Sequence, residues 1–133
     1  VTLRIVAKHA DHWNVWGGAR VLAQKGAILD AHCAAVGRDP KTIRRSANMA
    51  LLITDKKEEV ERLAETIATR LGRHAADPRD TCLAGTPDEI REQLLQLRAA
   101  GVDVLFIASV FRPLAELRRD LDRFIAEIAP AFR

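Results

Sequence analysis

The chain has 133 residues, 48% of them apolar and 29% charged, with a formal net charge of +3; that length suits a single domain, residues 1–133, whose core needs no disulfide or metal. The longest apolar run, "VDVLFIASVF", is broken by Asp103 and Ser109 and is too short to cross a bilayer, and no charged-then-apolar leader opens the sequence, so a soluble protein is expected. Acidic residues are interleaved with the basic ones, as in "DKKEEVERLAE" and "LRRDLDRF", which argues for an ordinary solvated surface and against a nucleic-acid face.

Residues Thr2 to Ala10 carry Leu3, Val6 and Ala10 on one helical face, with Thr2 available as the N-cap. The stretch "ADHWNVW" follows as a short strand, stopped by Gly17 and Gly18. Val21, Leu22, Ile28, Leu29, Cys33 and Val36 then recur at helical steps, and Gly37 with Pro40 ends that helix. "SANMALLIT", Ser46 to Thr54, is almost uninterrupted apolar sequence of strand length, which predicts a strand buried on both faces. Asp55 and Glu58 have capping-box spacing for a helix carrying Val60, Leu63, Ile67 and Leu71, closed by Gly72.

The polar stretch "RHAADPRDTCLAG" reads as a loop. Thr86, Pro87 and Glu89 make the most complete helix start in the chain, because Thr86 can cap, Pro87 has no N–H to leave unpaired and Glu89 can reach back. That helix runs through Ile90, Leu94 and Leu97 to Gly101. A second buried strand, "VDVLFIAS", is expected next, and then a helix with Leu114, Leu117, Leu121, Phe124, Ile125 and Ile128 before Pro130. Buried strands alternating with amphipathic helices predict an α/β fold with right-handed crossovers and a parallel sheet. Three strands would make a narrow independent sheet, and the pattern is that of the last portion of a (β/α)8 barrel.

Cys33, in a helix, and Cys82, in the loop, are the only cysteines and lack ligand spacing, so both are expected as reduced thiols of a cytoplasmic protein. The sequence begins at Val1 without a methionine and is already amphipathic by its fourth residue, which predicts a piece of a longer chain. His9, His12, His32 and His74 are too scattered for a zinc site, and no metal is expected.

"TLRIVAKHADHWNVWGG", "HCAAVGRDPKTIRRSA" and "AGTPDEIREQLLQLRAAGVDVLFIA", in that order, resemble the C-terminal part of the luciferase-like oxidoreductases, especially the branch that uses coenzyme F420. The resemblance covers nearly the whole chain. It implies parallel βα units forming the C-terminal part of a TIM (β/α)8 barrel, incomplete here. It also implies coenzyme F420, or alternatively FMN, bound at the C-terminal mouth, with hydride transfer or monooxygenation at the cofactor ring and a small-molecule substrate. The family's glycine-rich phosphate loop and earlier strands precede the segment that matches, so this segment alone is not expected to complete cofactor binding.

On that resemblance, Thr2 and Arg4 at a helix start are candidates for the cofactor phosphate, and Asn14 for a hydrogen bond to the cofactor. Trp13, Trp16, His12, Ser109 and Arg112 are candidates for the substrate pocket. Alternation along the strand puts Trp13 and Val15 on one face and Asn14 and Trp16 on the other, so only one tryptophan is expected to face the site. Each has a bland counterpart: a plain cap, a solvated arginine, core tryptophans, a structural histidine. A non-catalytic barrel segment stabilised as a homo-oligomer is the alternative to an enzyme. Nucleic acid and membrane are not expected as partners.

Overall fold

The computed structural model describes residues 2–72 and 77–132; Val1 and His74, on which two of the expectations fall, lie outside the described residues. Helix α1 spans Thr2–His9 and strand β1 His12–Trp16. The strand ends at Gly17, whose φ of +148° is rarely open to a residue with a side chain, and where a Cβ would lie 3.0 Å from Val21. Helix α2, Ala19–Ala35, has no acid in its own first turn, and its cap, Gly18, has no side chain. A residue far along the chain supplies the missing acceptor: the Gly18 N–H donates to Asp80 Oδ2 at 3.0 Å.

Strand β2 covers Arg44–Ile53, and helix α3 covers Lys57–Leu71, terminated at Gly72 with φ +52°. The turn into α3 differs from the predicted Asp55–Glu58 box. Thr54 stands at the strand end with its hydroxyl already aimed into the turn, so it accepts from the Lys56 N–H at 3.1 Å and donates to Glu59 at 2.7 Å. Four residues of the predicted loop, Cys82–Gly85, form strand β3. Helix α4, Pro87–Ala99, starts with the predicted capping box: the Thr86 hydroxyl accepts from the Glu89 N–H, and the Glu89 carboxylate accepts from the Thr86 N–H at 2.7 Å. Strand β4 is Val104–Ile107. Helix α5, Leu114–Arg123, runs on through a π turn, Phe124–Ile128, and a 3-10 turn, Ala129–Phe132.

All three strand pairings are parallel and all involve β2. β1 pairs with residues 44–48 and β4 with residues 46–49, so these two lie on opposite edges of β2. Even-numbered backbone groups of β2 face β1, since the Arg44 N–H donates to Asp11. Odd-numbered ones face β4, since Arg45 and Met49 carbonyls accept from Asp103 and Ala108. The Thr54 N–H donates to Gly85, which places β3 beyond β1 on the same edge, beside residues 50–53. The chain thus moves outward from β1 to β2, back to β3, and outward again to β4. A right-handed crossover that reverses direction must carry its helix over the opposite face.

The two cores follow that rule. Trp13, Val15, Ala47, Met49, Leu51 and Ile53 join residues of α1, α2, α4 and α5, with Leu22, Leu29, Leu83, Ile90 and Ile128 inaccessible to solvent. Ala50, Leu52, Cys82, Ala84 and Phe111 pack instead with Leu63 and Ile67 of α3. Complete burial of each Leu or Ile stabilises by about 1.5–3 kcal/mol. Because α3 covers only the C-terminal half of its face, the other half stays open. β4 is half-buried rather than buried as predicted, with Phe106 exposed, because no strand flanks its outer edge among the described residues. Cys82 begins a strand rather than lying in a loop.

Candidate functional site

The register aligns side chains across the open half-face. His12, Asn14 and Trp16 of β1 stand beside Arg44, Ser46 and Asn48 of β2, and beyond them come Val104 and Phe106 of β4. His12 Nε2 and Ser46 Oγ share a hydrogen bond of 2.9 Å. Ser46 is fully buried and His12 exposed, so the hydroxyl fixes the ring from below. Phe106 lies 6.4 Å from the His12 ring at a 31° tilt. At the far end of β1, Trp16 meets Phe111 edge-on, 5.6 Å between centroids.

A groove of about 800 Å3 runs along the edge of β1 that has no strand partner among the described residues. Thr2 borders it from the start of α1, Trp13, Asn14 and Trp16 from β1, Lys25, Ile28 and His32 from α2, and Arg70 from α3. Four predicted residues, Thr2, Trp13, Asn14 and Trp16, therefore meet at one place. Both tryptophans border it, against the expectation of one. The groove wraps around an edge strand, and at an edge the two faces are no longer separated by a neighbouring strand. Trp13 nevertheless packs mainly as core, whereas Asn14 is exposed and Trp16 half-buried.

The remaining candidates lie apart from the groove. Arg4 is solvated on α1, His12 is on the open sheet face, and Ser109 is on the exposed loop after β4. The Arg112 guanidinium is engaged internally: Nη1 donates to the Leu51 carbonyl at 2.7 Å and to Asp120 Oδ2 at 2.6 Å, and Nη2 lies 3.4 Å from Glu116. Sequence reasoning missed Lys25, His32 and Arg70. The first two share a face with Ile28 at three- and four-residue steps, a stripe legible in the sequence once α2 is drawn as a helix. Arg70 belongs to a different helix, and nothing in the sequence brings it to β1.

Among the described residues no three His, Cys, Asp or Glu side chains converge as a metal site. Burial pushes the Cys82 thiol up to about 12, and its Sγ donates to the Arg79 carbonyl at 3.2 Å, so it stays protonated and is no nucleophile. Cys33 is buried as well. No helix is long and apolar enough to cross a membrane among the described residues.

A family profile described as luciferase-like monooxygenase matches residues 1–104. The chain belongs to that family. Among solved structures, this luciferase-like chain is similar to a coenzyme F420-dependent tetrahydromethanopterin reductase from Methanopyrus kandleri, at 14% identity and TM-score 0.71, covering 98% of this chain and 48% of that one. An F420-dependent secondary alcohol dehydrogenase in complex with an F420–acetone adduct matches at 15% identity and TM-score 0.69, over 98% and 46% of the two chains. A riboflavin lyase with modified FMN and riboflavin matches at 16% and 0.67, over 98% and 40%. The luciferase-like chain thus spans less than half the length of each of these structures, whose fold is a barrel of parallel βα units. No curated protein matches its sequence significantly.

Proposed function

We propose that this chain supplies part of the cofactor and substrate site of a flavin- or F420-dependent oxidoreductase acting on a small molecule, coenzyme F420 being the first choice and FMN the alternative. The observation that carries this reading is the groove along β1, where a helix start, an exposed amide, two indoles and two cations meet. Its size and mixed lining fit a ring system with an anionic tail. Bound there, the cofactor would supply hydride transfer or, as FMN, oxygen chemistry.

The residues of this chain bind and orient. The free N–H groups in the first turn of α1, with Thr2 and with Lys25 and Arg70 across the groove, favour a phosphate. Trp16 offers a flat face and Asn14 both a donor and an acceptor. His12, steadied by Ser46, presents its ring on the substrate side of the sheet, and Ser109 is the substrate-side candidate on the loop after β4. A cytoplasmic location belongs to the same reading.

A second reading, a non-catalytic segment that pairs with another copy, is favoured by the free edge of β1, where the backbone groups of His12, Asn14 and Trp16 point away from β2. Absorbance titration with coenzyme F420 and with FMN, alongside native molecular mass, separates the two. Saturable binding that weakens about tenfold in Asn14→Ala and Lys25→Ala, as loss of a charge-assisted or amide hydrogen bond predicts, supports the enzyme. No binding of either cofactor, with a mass of two or more chains, supports self-association.

A further inference from the structure

A second cavity, sharing no lining residue with the groove along β1, opens at the C-terminal ends of β2 and β4 and measures about 400 Å3. Its position follows from topology. The connection leaving β2 leads to α3 on one face; the connection leaving β4 packs Ala108 and Phe111 against that same face before α5 crosses to the other. Helices α3 and α5 diverge to opposite faces beyond the end of β2 and leave this crevice between them.

The floor is apolar, formed by Leu52, Leu63 and Phe111, all buried. The rim is charged, and its charges sort into two groups. Glu59 is held by Thr54 and lies 3.4 Å from Lys56, while Glu116 and Asp120 are engaged with Arg112. Two guanidiniums are left. Arg62, on α3, has no side-chain partner among the described residues. Arg119, on α5, comes no closer than 3.9 Å to a carboxylate, that of Asp120, which already serves Arg112 and the Ile53 N–H. Both line the crevice, one from each helix that bounds it.

We infer that this crevice is a binding site for a small organic anion, a carboxylate or phosphate carried on an apolar body, clamped between Arg62 and Arg119. Guanidinium forks match the oxygens of either group in bidentate fashion. Leu52, Leu63 and Phe111 receive the apolar part. The inference is independent of the cofactor reading because it concerns other residues, although the two cavities adjoin where Trp16 packs edge-on against Phe111.

The test is titration calorimetry of the chain with phenyl phosphate and with benzoate, inorganic phosphate serving as the comparison. Saturable binding of one or both aromatic anions, tighter than that of inorganic phosphate and weakened about tenfold or more in Arg62→Gln/Arg119→Gln, is expected, because both charge-assisted partners are removed. Which aromatic anion binds tells a phosphate site from a carboxylate site. The melting temperature should not change, since both arginines are exposed. A control pair, Arg20→Gln/Lys41→Gln, removes the same charge elsewhere and should leave binding intact. Absence of saturable binding, equal affinity for inorganic phosphate, or an equal loss in the control pair would overturn the assignment.

Discussion

Arg112 and Asp120 together do the work of a missing strand. Beyond residue 49, the edge of β2 that faces β4 has no partner strand among the described residues, and this pair completes it: Arg112 donates to the Leu51 carbonyl while Asp120 accepts from the Ile53 N–H at 3.1 Å. The two side chains, 11% and 2% exposed, are joined to each other at 2.6 Å. A buried ion pair alone is often replaceable by apolar residues, but here each charge also satisfies a backbone group.

Asp120→Ala should therefore cost about 3–5 kcal/mol, the range for breaking a buried pair from one side. The double variant Arg112→Met/Asp120→Leu should fail to restore stability, because Leu51 and Ile53 keep unpaired backbone groups. Urea unfolding of the three proteins checks this. Recovery to the parent midpoint in the double variant would show that the edge needs no side-chain partners.

Gly18→Ala should destabilise by about 1–3 kcal/mol, the usual cost of forcing extra volume into a packed site. The new Cβ would lie 2.6 Å from Asp80 Oδ1 and would press on the Asp80 carbonyl, driving off the carboxylate that caps α2. Gly37→Ala provides the contrast. It meets nothing within 4 Å, and only its φ of +69° opposes a side chain, so its loss should stay near about 1 kcal/mol. Thermal unfolding of both variants ranks them.

Two carboxylates should give opposite dependences on pH. Burial raises Asp80 above its ordinary value, against the lowering effect of the Gly18 N–H. Its protonated form is favoured by folding, so the stability it contributes is present below its unfolded value of 3.8 and is lost as pH rises through the folded value. Glu89 is held below its ordinary 4.5 by the Thr86 N–H and then by the Thr86 hydroxyl. Its contribution is present above 4.5 and lost as pH falls through the folded value. Melting temperatures between pH 3 and pH 7 for the parent, Asp80→Asn and Glu89→Gln should separate the two slopes. Thr86→Ala should lower stability by about 1 kcal/mol near neutral pH.

The tryptophans should part company on substitution. Trp13→Ala removes a side chain that is 7% exposed in the main core and should cost about 3–5 kcal/mol. Trp16→Ala, half-buried and edge-on to Phe111, should cost less and instead weaken cofactor binding. Chemical denaturation paired with the cofactor titration distinguishes the two roles; equal stability losses with no change in binding would make both of them core.

Much of the fold was legible because long elements carry strong signals. β2 carries the apolar run Met49–Ile53 and, apart from Asn48, apolar residues from Ala47 on, and the Thr86–Glu89 box has a stereochemistry that few alternatives can satisfy. β3 escaped notice because "CLAG" offers four small or apolar residues after a polar, proline-containing stretch, too few for a period to show. Its place on the β1 edge depends on long-range pairing that no local pattern encodes. The candidate site was half legible for a similar reason. Thr2, Trp13, Asn14 and Trp16 lie on two neighbouring elements at the start of the chain, whereas Arg70 arrives on a helix more than fifty residues away. Arg112 reads as a substrate-pocket candidate because its carboxylate partner sits on the next helix, eight residues on.

The dependence of every ladder on β2 has a further consequence. β1, β3 and β4 have no strand pairing with one another among the described residues, so none of them can persist as sheet once β2 leaves. The molecule should lack an intermediate in which half the strands remain paired. Amides of β1, β3 and β4 should exchange with solvent at a common slowest rate, the one at which β2 itself detaches, and the sheet should melt as one cooperative unit.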